Sequence, residues 1–236
     1  MVNSQIHILY HDKNFIVVDK PAGFHVHPHD QIRCQVPREK VCLYAVRDKL
    51  KQRIYPVHRL DAGTSGVLLF ALSPDSARTL CQLFSKREIK KTYHAVVRGF
   101  VPAEAQINLE LPSDSSGGLV DAQTSYRRLA TVDLPFAVGK KFSSSRYSLV
   151  EVCPLTGRWH QIRRHFNRIS HPLLGDGEHG DTRHNQVFRE KLGISGLCLK
   201  AQRIEFLHPW TREAFSIESP TCDRWKQIRN LFKVPL

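Results

Sequence analysis

Apolar residues reach this chain mostly in short extended runs. Ile6–Tyr10 and Phe15–Asp19 are separated by His11-Asp12-Lys13-Asn14 and end at Pro21-Ala22-Gly23, the pattern of a β-hairpin. Lys40–Arg53 instead places Leu43, Val46 and Leu50 three and four positions apart, which predicts a helix. Gly66–Leu72 (GVLLFAL) is unbroken in its apolarity, as expected of a strand covered on both faces. Pro74 then opens a helix running to about Lys86, with Ser73 as its cap.

Lys90–Arg98 (KKTYHAVVR) predicts another strand, stopped by Gly99. In the polar middle, Ser113–Gly118 and Gly139–Ser145 are expected to be loops, with strands over Tyr126–Val132 and Arg146–Val152. His160–Ile169 changes period: Ile162, Phe166 and Ile169 form one stripe, and Arg164 and Arg168 share another face. Extended runs return at Leu197–Leu199 and Arg203–Leu207, and a basic helical tail follows Pro220. Strands outnumber helices in mixed order, so the expected fold is α+β on a large, mixed, mainly antiparallel sheet flanked by helices and loops.

Charge changes the picture more than overall composition does. The 236 residues carry 35 Lys+Arg against 22 Asp+Glu, a formal net charge of +13. That excess favours a polyanionic partner, with nucleic acid first, because each neutralised phosphate releases counterions. Cys34, Cys42, Cys81, Cys153, Cys198 and Cys222 include no C-x-x-C pair, so buried free thiols in a reducing compartment are expected. The start, MVNSQIHILYHDKNF, shows no basic stretch followed by a long apolar one. Neither a signal peptide nor a membrane span is expected, and the protein reads as cytoplasmic.

Three clusters could carry chemistry. The first is His58-Arg59-Leu60-Asp61-Ala62-Gly63-Thr64-Ser65-Gly66, a polar loop running into an apolar strand. Asp61 is the only carboxylate between Asp48 and Asp75, and a carboxylate on a loop anchored to a rigid strand suits catalysis. Capping of a turn by its side chain is the competing structural reading. The spacing Gly63-Thr64-Ser65-Gly66 does not make the G-x-S-x-G elbow of a serine hydrolase. The second cluster is Thr156-Gly157-Arg158-Trp159-His160-Gln161-Ile162-Arg163-Arg164-His165. Its arginines sit among apolar positions at a helix start, so part of that charge faces inward and requires an anion. Asp61 is one candidate partner. The third, Gly175–Asp181, is glycine-rich and acidic, but it lacks calcium-loop spacing, and the 13 histidines show no H-E-x-x-H. No metal is expected.

The motifs together resemble those of the RluA-type pseudouridine synthases. His58-Arg59-Leu60-Asp61 followed by Thr64-Ser65-Gly66 is similar to that family's catalytic element. Asp19-Lys20-Pro21-Ala22-Gly23 with Val26-His27-Pro28, Lys91-Thr92-Tyr93, Thr156–Arg163, His171–Asp176 and His208-Pro209 follow its other elements in order. Asp19 stands where the family usually has Asn, and Lys200 where His commonly precedes Ala. Within the family, Thr124–Pro135, Arg146-Tyr147 and Gly180–Asn185 look most like the C-type members that act on tRNA near the T-stem.

The resemblance implies the pseudouridine synthase fold with a central active-site cleft. It implies one catalytic domain over residues 1–236 and no separate N-terminal RNA-binding domain. It makes Asp61 the catalytic carboxylate, Tyr93 the tyrosine against the uracil, and Arg163 the basic partner of Asp61. Arg59 would fill the space left by a flipped uridine, and His58, Lys91, Arg158, His160 and Arg164 would contact RNA. Flipping is a physical requirement, since the glycosidic bond is out of reach inside a helix. No cofactor is implied, and a monomer is expected. Ribosomal RNA as substrate, or a non-catalytic RNA-binding protein on the same fold, are the alternatives. A pure binder has no use for a carboxylate among phosphate-binding arginines.

Overall fold

The computed structural model describes residues 6–28, 36–113, 117–139 and 142–235. In chain order its elements are β1 (His7–His11), β2 (Phe15–Lys20), α1 (Cys42–Leu50), β3 (Tyr55–Pro56), β4 (Ser65–Ala71), α2 (Pro74–Ser85), β5 (Lys90–Arg98), β6 (Glu104–Asn108), β7 (Leu111–Pro112) and β8 (Leu119–Val120). They continue with β9 (Gln123–Leu134), β10 (Ser145–Pro154), α3 (Gln161–Arg168), α4 (Thr182–Leu192), β11 (Leu199–Leu207), β12 (Ala214–Glu218) and α5 (Asp223–Leu231). The chain divides into two compact units, one of residues 1–91 and 201–220, the other of residues 92–200 and 221–236. In both, helices accompany mainly antiparallel strands, so the α+β expectation is borne out.

In the first unit β1 and β2 form the expected hairpin, and β2 pairs antiparallel with β4. Asp12 fixes the hairpin turn by accepting the N–H groups of Asn14 and Phe15, both at 2.8 Å. Its other oxygen lies 3.1 Å from His208 Nε2, so the His208-Pro209 element holds the turn in place. Every residue of β4 is buried, as its unbroken apolar run predicts. On one side Val67 and Leu69 pack with Phe15, Val17, Leu80, Ile204 and Phe206. The helix α2 starts where Ser73 and Pro74 place it, with the Ser73 hydroxyl accepting the Ser76 N–H. Gly66 permits the sheet to close beside the first cluster. Its φ is +114°, and a Cβ there would lie 2.1 Å from the Ala201 carbonyl oxygen.

In the second unit the order is β5-β10-β9-β6, and the strand period of two divides the side chains between two cores. Ala95, Val97, Val150, Val152 and Tyr126 face Ile162 and Phe166 of α3. Val96, Tyr147 and Leu149 face Phe188 of α4 and Trp225 and Ile228 of α5. The stripe at Ile162 and Phe166 thus does what its spacing predicts. Leu199 and Arg203–Leu207, expected in two separate runs, belong to one strand, β11, while Leu197 and Cys198 of the first run lie just before it and outside any strand.

The thiol expectation is corrected in part. Among the described residues the cysteines are free, but only Cys42 and Cys198 are buried, while Cys81 and Cys222 are exposed. Cys34 lies outside the described residues, as do Asp114–Ser116 and Lys140–Lys141 within the two expected loops.

Candidate active site

The loop carrying Asp61 is anchored through its backbone within the first unit. Lys20, at the end of β2, is fully buried and directs its ammonium at three carbonyl oxygens. They belong to Phe24 at 2.6 Å, Pro21 at 3.0 Å and Ala62 at 3.0 Å. The Ala62 carbonyl also accepts the Gly23 N–H at 2.7 Å, and the Asp61 carbonyl accepts the Thr64 N–H at 3.0 Å. The peptide groups on either side of the Asp61–Ala62 bond are therefore tied to the D-K-P-A-G element, whatever the Asp61 side chain does. Burial pulls the Lys20 ammonium down to about 8, against the opposite pull of Cys42, Asp61 and Asp19. Asp19, the departure from Asn, takes the Ser219 hydroxyl at 2.6 Å; Lys200, the other departure, is buried.

Lys20→Met removes all three hydrogen bonds while keeping an apolar stem of similar length. We expect a loss of about 1–3 kcal/mol, since the Pro21 and Phe24 carbonyls lose this donor while that of Ala62 keeps the Gly23 N–H. Between about 8 and the ordinary lysine value near 10.4, the unfolded chain binds a proton that the folded chain has released. Lys20 therefore adds stability to the wild type as pH rises through that window. The gap between wild type and variant should widen from pH 7.5 to pH 10 in urea unfolding. An unchanged gap would mean that Lys20 is not the buried ammonium described.

Around this loop, Arg59 is exposed, while His58 and Lys91 are half-buried. His58 Nε2 accepts the Leu69 N–H at 3.0 Å, and its ring stacks on Phe84. Burial, and then the charge of Lys91, push His58 down to about 3, so it sits neutral as an acceptor for β4. Burial and then Arg87 also lower Lys91. Thr64 and Ser65 bury hydroxyl oxygens that find no hydrogen-bond partner among the described residues.

The second cluster lies wholly in the second unit, and Gln161 organises it. The Gln161 side-chain carbonyl accepts the Thr156 hydroxyl at 2.7 Å and the Arg158 N–H at 3.0 Å. Its amide donates to Gln123 O and Thr124 Oγ1, both at 2.9 Å. A buried amide with both ends satisfied fixes the loop before α3. His160 adopts the left-handed conformation there, φ 50°, and its ring stacks on Trp159 at 3.9 Å between centroids. Arg164 lies over the other component of that stack, 5.6 Å from the Trp159 centroid. Arg158 is exposed, and its Nε donates to Asp121 O. Tyr93 is half-buried on β5, opposite Val152 of β10, and packs on the α3 core.

Arg163 points inward from α3 and forms a two-point pair with Asp176. Its Nε donates to Oδ2 at 2.7 Å and its Nη2 to Oδ1 at 2.8 Å. The Arg163 side chain is 9% exposed and that of Asp176 0%. Burial alone would raise the Asp176 carboxyl. The Arg163 guanidinium and the N–H groups of His179 and Glu178 outweigh it and hold the group below the ordinary carboxylate value. Arg163 Nη2 also reaches Glu178 Oε2 at 3.4 Å. The sequence demands an anion for these arginines without singling out Asp176. The signal was the acidic residue closing the His171–Asp176 element.

Of the expected site residues, Asp61, His58, Arg59 and Lys91 thus belong to the first unit. Tyr93, Arg158, His160, Arg163 and Arg164 belong to the second. His160 and Arg163 both reach Glu178, His160 with Nδ1 at 3.5 Å. Lys20, Gln161 and Asp176 act as positioning residues, and nothing in the sequence alone singles them out for that part.

Comparison with known proteins agrees with this organisation. A family model described as RNA pseudouridylate synthase matches residues 14–168. The tRNA pseudouridine synthase C of Vibrio parahaemolyticus (serotype O3:K6) is 36% identical over 245 residues, covering 99% of this chain and 97% of the relative. Its namesake in Pasteurella multocida is 38% identical over 239 residues, covering 96% of each. Among solved structures, human RNA pseudouridylate synthase domain containing 4 superposes with a TM-score of 0.73 at 22% identity, over 98% of this chain and 94% of that one. At that identity the likeness shows the fold.

Proposed function

Because the chain belongs to the RNA pseudouridylate synthase family, we propose that it converts a uridine in the T-stem region of tRNA to pseudouridine. The enzyme is an isomerase acting on RNA. The bond from uracil N1 to the ribose C1′ breaks and a bond from C5 to C1′ forms. N1 gains a proton and C5 loses one, so nothing is consumed and the chemistry calls for no metal or cofactor. The tRNA assignment rests on one observation, the nearly end-to-end likeness to relatives named for tRNA.

Asp61 carries the catalysis, with Tyr93 against the uracil and Arg163 as the basic partner. Arg59 enters the stack as the uridine leaves it, which the exposure of that side chain permits. Lys91, Arg158, His160 and Arg164 meet the RNA backbone. His58, a neutral acceptor, serves the first cluster by bonding to β4. Both units work as one catalytic domain, in a cytoplasmic monomer. Among the described residues, no helix is long and apolar enough to cross a membrane.

The test is tRNA transcribed with uridine tritiated at C5 and incubated with the protein alone. Formation of the C5 bond releases tritium to water, so counts should appear in the solvent and saturate near one per tRNA. Release from ribosomal RNA and not from tRNA would move the substrate. Release from no cellular RNA would reduce the chain to an RNA-binding protein.

A further inference from the structure

Three potential ligands converge in the second unit beside the start of α3. His160 Nδ1 lies 2.9 Å from His179 Nε2 and 3.5 Å from Glu178 Oε2. His179 Nε2 lies 3.7 Å from Glu178 Oε1. A zinc ion with tetrahedral bonds near 2.0–2.1 Å needs its ligand atoms about 3.3 Å apart. Each pair of residues thus offers atoms close to that edge, the carboxylate through Oε2 toward His160 and through Oε1 toward His179, and two imidazoles with one carboxylate form a recognised zinc ligand set. We infer that His160, Glu178 and His179 form a binding site for a divalent transition-metal ion of the zinc class, and that the bound ion inhibits the isomerisation.

The ligands are held by a supporting shell. Asp176 Oδ1 accepts the N–H groups of both Glu178 and His179 at 3.0 Å. Asn167 donates to the His179 carbonyl at 2.7 Å, and Trp159 stacks on the His160 ring. These bonds hold the backbone that carries Glu178 and His179, and the stack orients the His160 ring, before a metal arrives. The charges also allow it. Arg163 approaches Glu178, but its charge is met by Asp176, so these three side chains together are negative. The Glu178 side chain is half exposed, which gives an ion a route from solvent. Imidazole donors favour zinc, copper, nickel or cobalt over magnesium and calcium.

Inhibition follows from what the ion would engage. It draws the Glu178 carboxylate from Arg163 and immobilises His160. This second half of the inference rests on the function proposed above; the binding half does not.

Cobalt(II), titrated into the whole protein, is the first probe. The expected result is visible absorption of a low-coordinate cobalt site with no near-ultraviolet thiolate band. His179→Ala and Glu178→Gln should each weaken binding by at least about tenfold. Binding unchanged in both variants, or a thiolate band reporting cysteine ligands, overturns the site. Zinc should then suppress tritium release by the wild type, less so by each variant relative to its own metal-free rate, and a chelator should restore it. Cobalt binding at this site with tritium release insensitive to zinc overturns the inhibitory half. Wild type that releases no tritium from any RNA defeats the functional reading instead, and the cobalt titration still decides the site.

Discussion

Asp61→Asn should abolish tritium release from C5-labelled tRNA, with a rate loss on the order of 10⁴-fold or more, the scale seen when an essential catalytic group is removed. The substitution keeps the shape of the side chain and removes its charge. The backbone around it has independent anchors, since Lys20 and Gly23 hold the Ala62 carbonyl and Thr64 holds that of Asp61. Asparagine can therefore occupy the loop as it stands, and the loss reports chemistry and not collapse. Filter binding of unlabelled tRNA should show affinity unchanged or slightly tighter, because one negative charge has left a surface that binds phosphates. A variant retaining more than about a tenth of the wild-type rate would remove Asp61 from its assigned role.

Asp176→Ala should be the most destabilising polar substitution in the second unit. It leaves the Arg163 guanidinium buried with its two-point acceptor gone, a change that costs about 3–5 kcal/mol. For a chain of this length that corresponds to roughly 10 °C in Tm by calorimetry. The loop to His179 should loosen as well, because Asp176 Oδ1 holds two of its N–H groups. Replacing both partners, as Arg163→Met with Asp176→Leu, should recover part of the stability and none of the activity. The sign of the pH effect follows from the depressed carboxyl. Its stabilisation is present above the ordinary aspartate value near 3.9 and is lost as pH falls through the lower folded value. The stability gap between wild type and Asp176→Ala should thus shrink in acid. A gap that is constant or grows below pH 4 would contradict the pairing.

Much of this architecture was legible because local signals agreed with tertiary needs. The helix α2 shows its cap, its proline and its start in three adjacent residues. The strands β4 and β5 are read from apolar runs that the fold buries. The helix α4 was not foreseen, for a physical reason. Thr182–Leu192 has only Val187, Phe188 and Leu192 as apolar residues, and Phe188 alone is buried, so almost no period is written into it. Its ends were legible: Asp181 accepts the N–H groups of Arg183 and His184, and Gly193 closes it at φ 66°. The strand β6 was missed similarly, since only Ile107 of its five residues is buried and pairing with β9 sets its conformation.

The candidate site was legible in unequal parts. Asp61 stands out because no other carboxylate is near it in sequence, and an inward-facing arginine in the second cluster follows from its apolar neighbours, though not that it is Arg163. The identity of its anion does not follow, because Asp176 sits in a glycine-rich loop whose acids all look alike in sequence. Lys20 was likewise hidden. A lysine between an aspartate and a proline reads as a solvated strand end, and only the fold supplies three carbonyls to receive it.

The division of the chain also bears on its synthesis. The first unit needs residues 201–220 to complete its core, where Ile204 and Phe206 pack against Phe15 and Leu69. The second needs the segment from Thr221, which brings Trp225 and Ile228 to Tyr147. Neither core can therefore close while a ribosome still conceals residues beyond about the two-hundredth. The nascent chain must carry its paired strands unfinished through most of translation, exposed to the cellular machinery that shields unfolded polypeptides. Any fragment ending before Ala201 inherits two open cores, not one intact half.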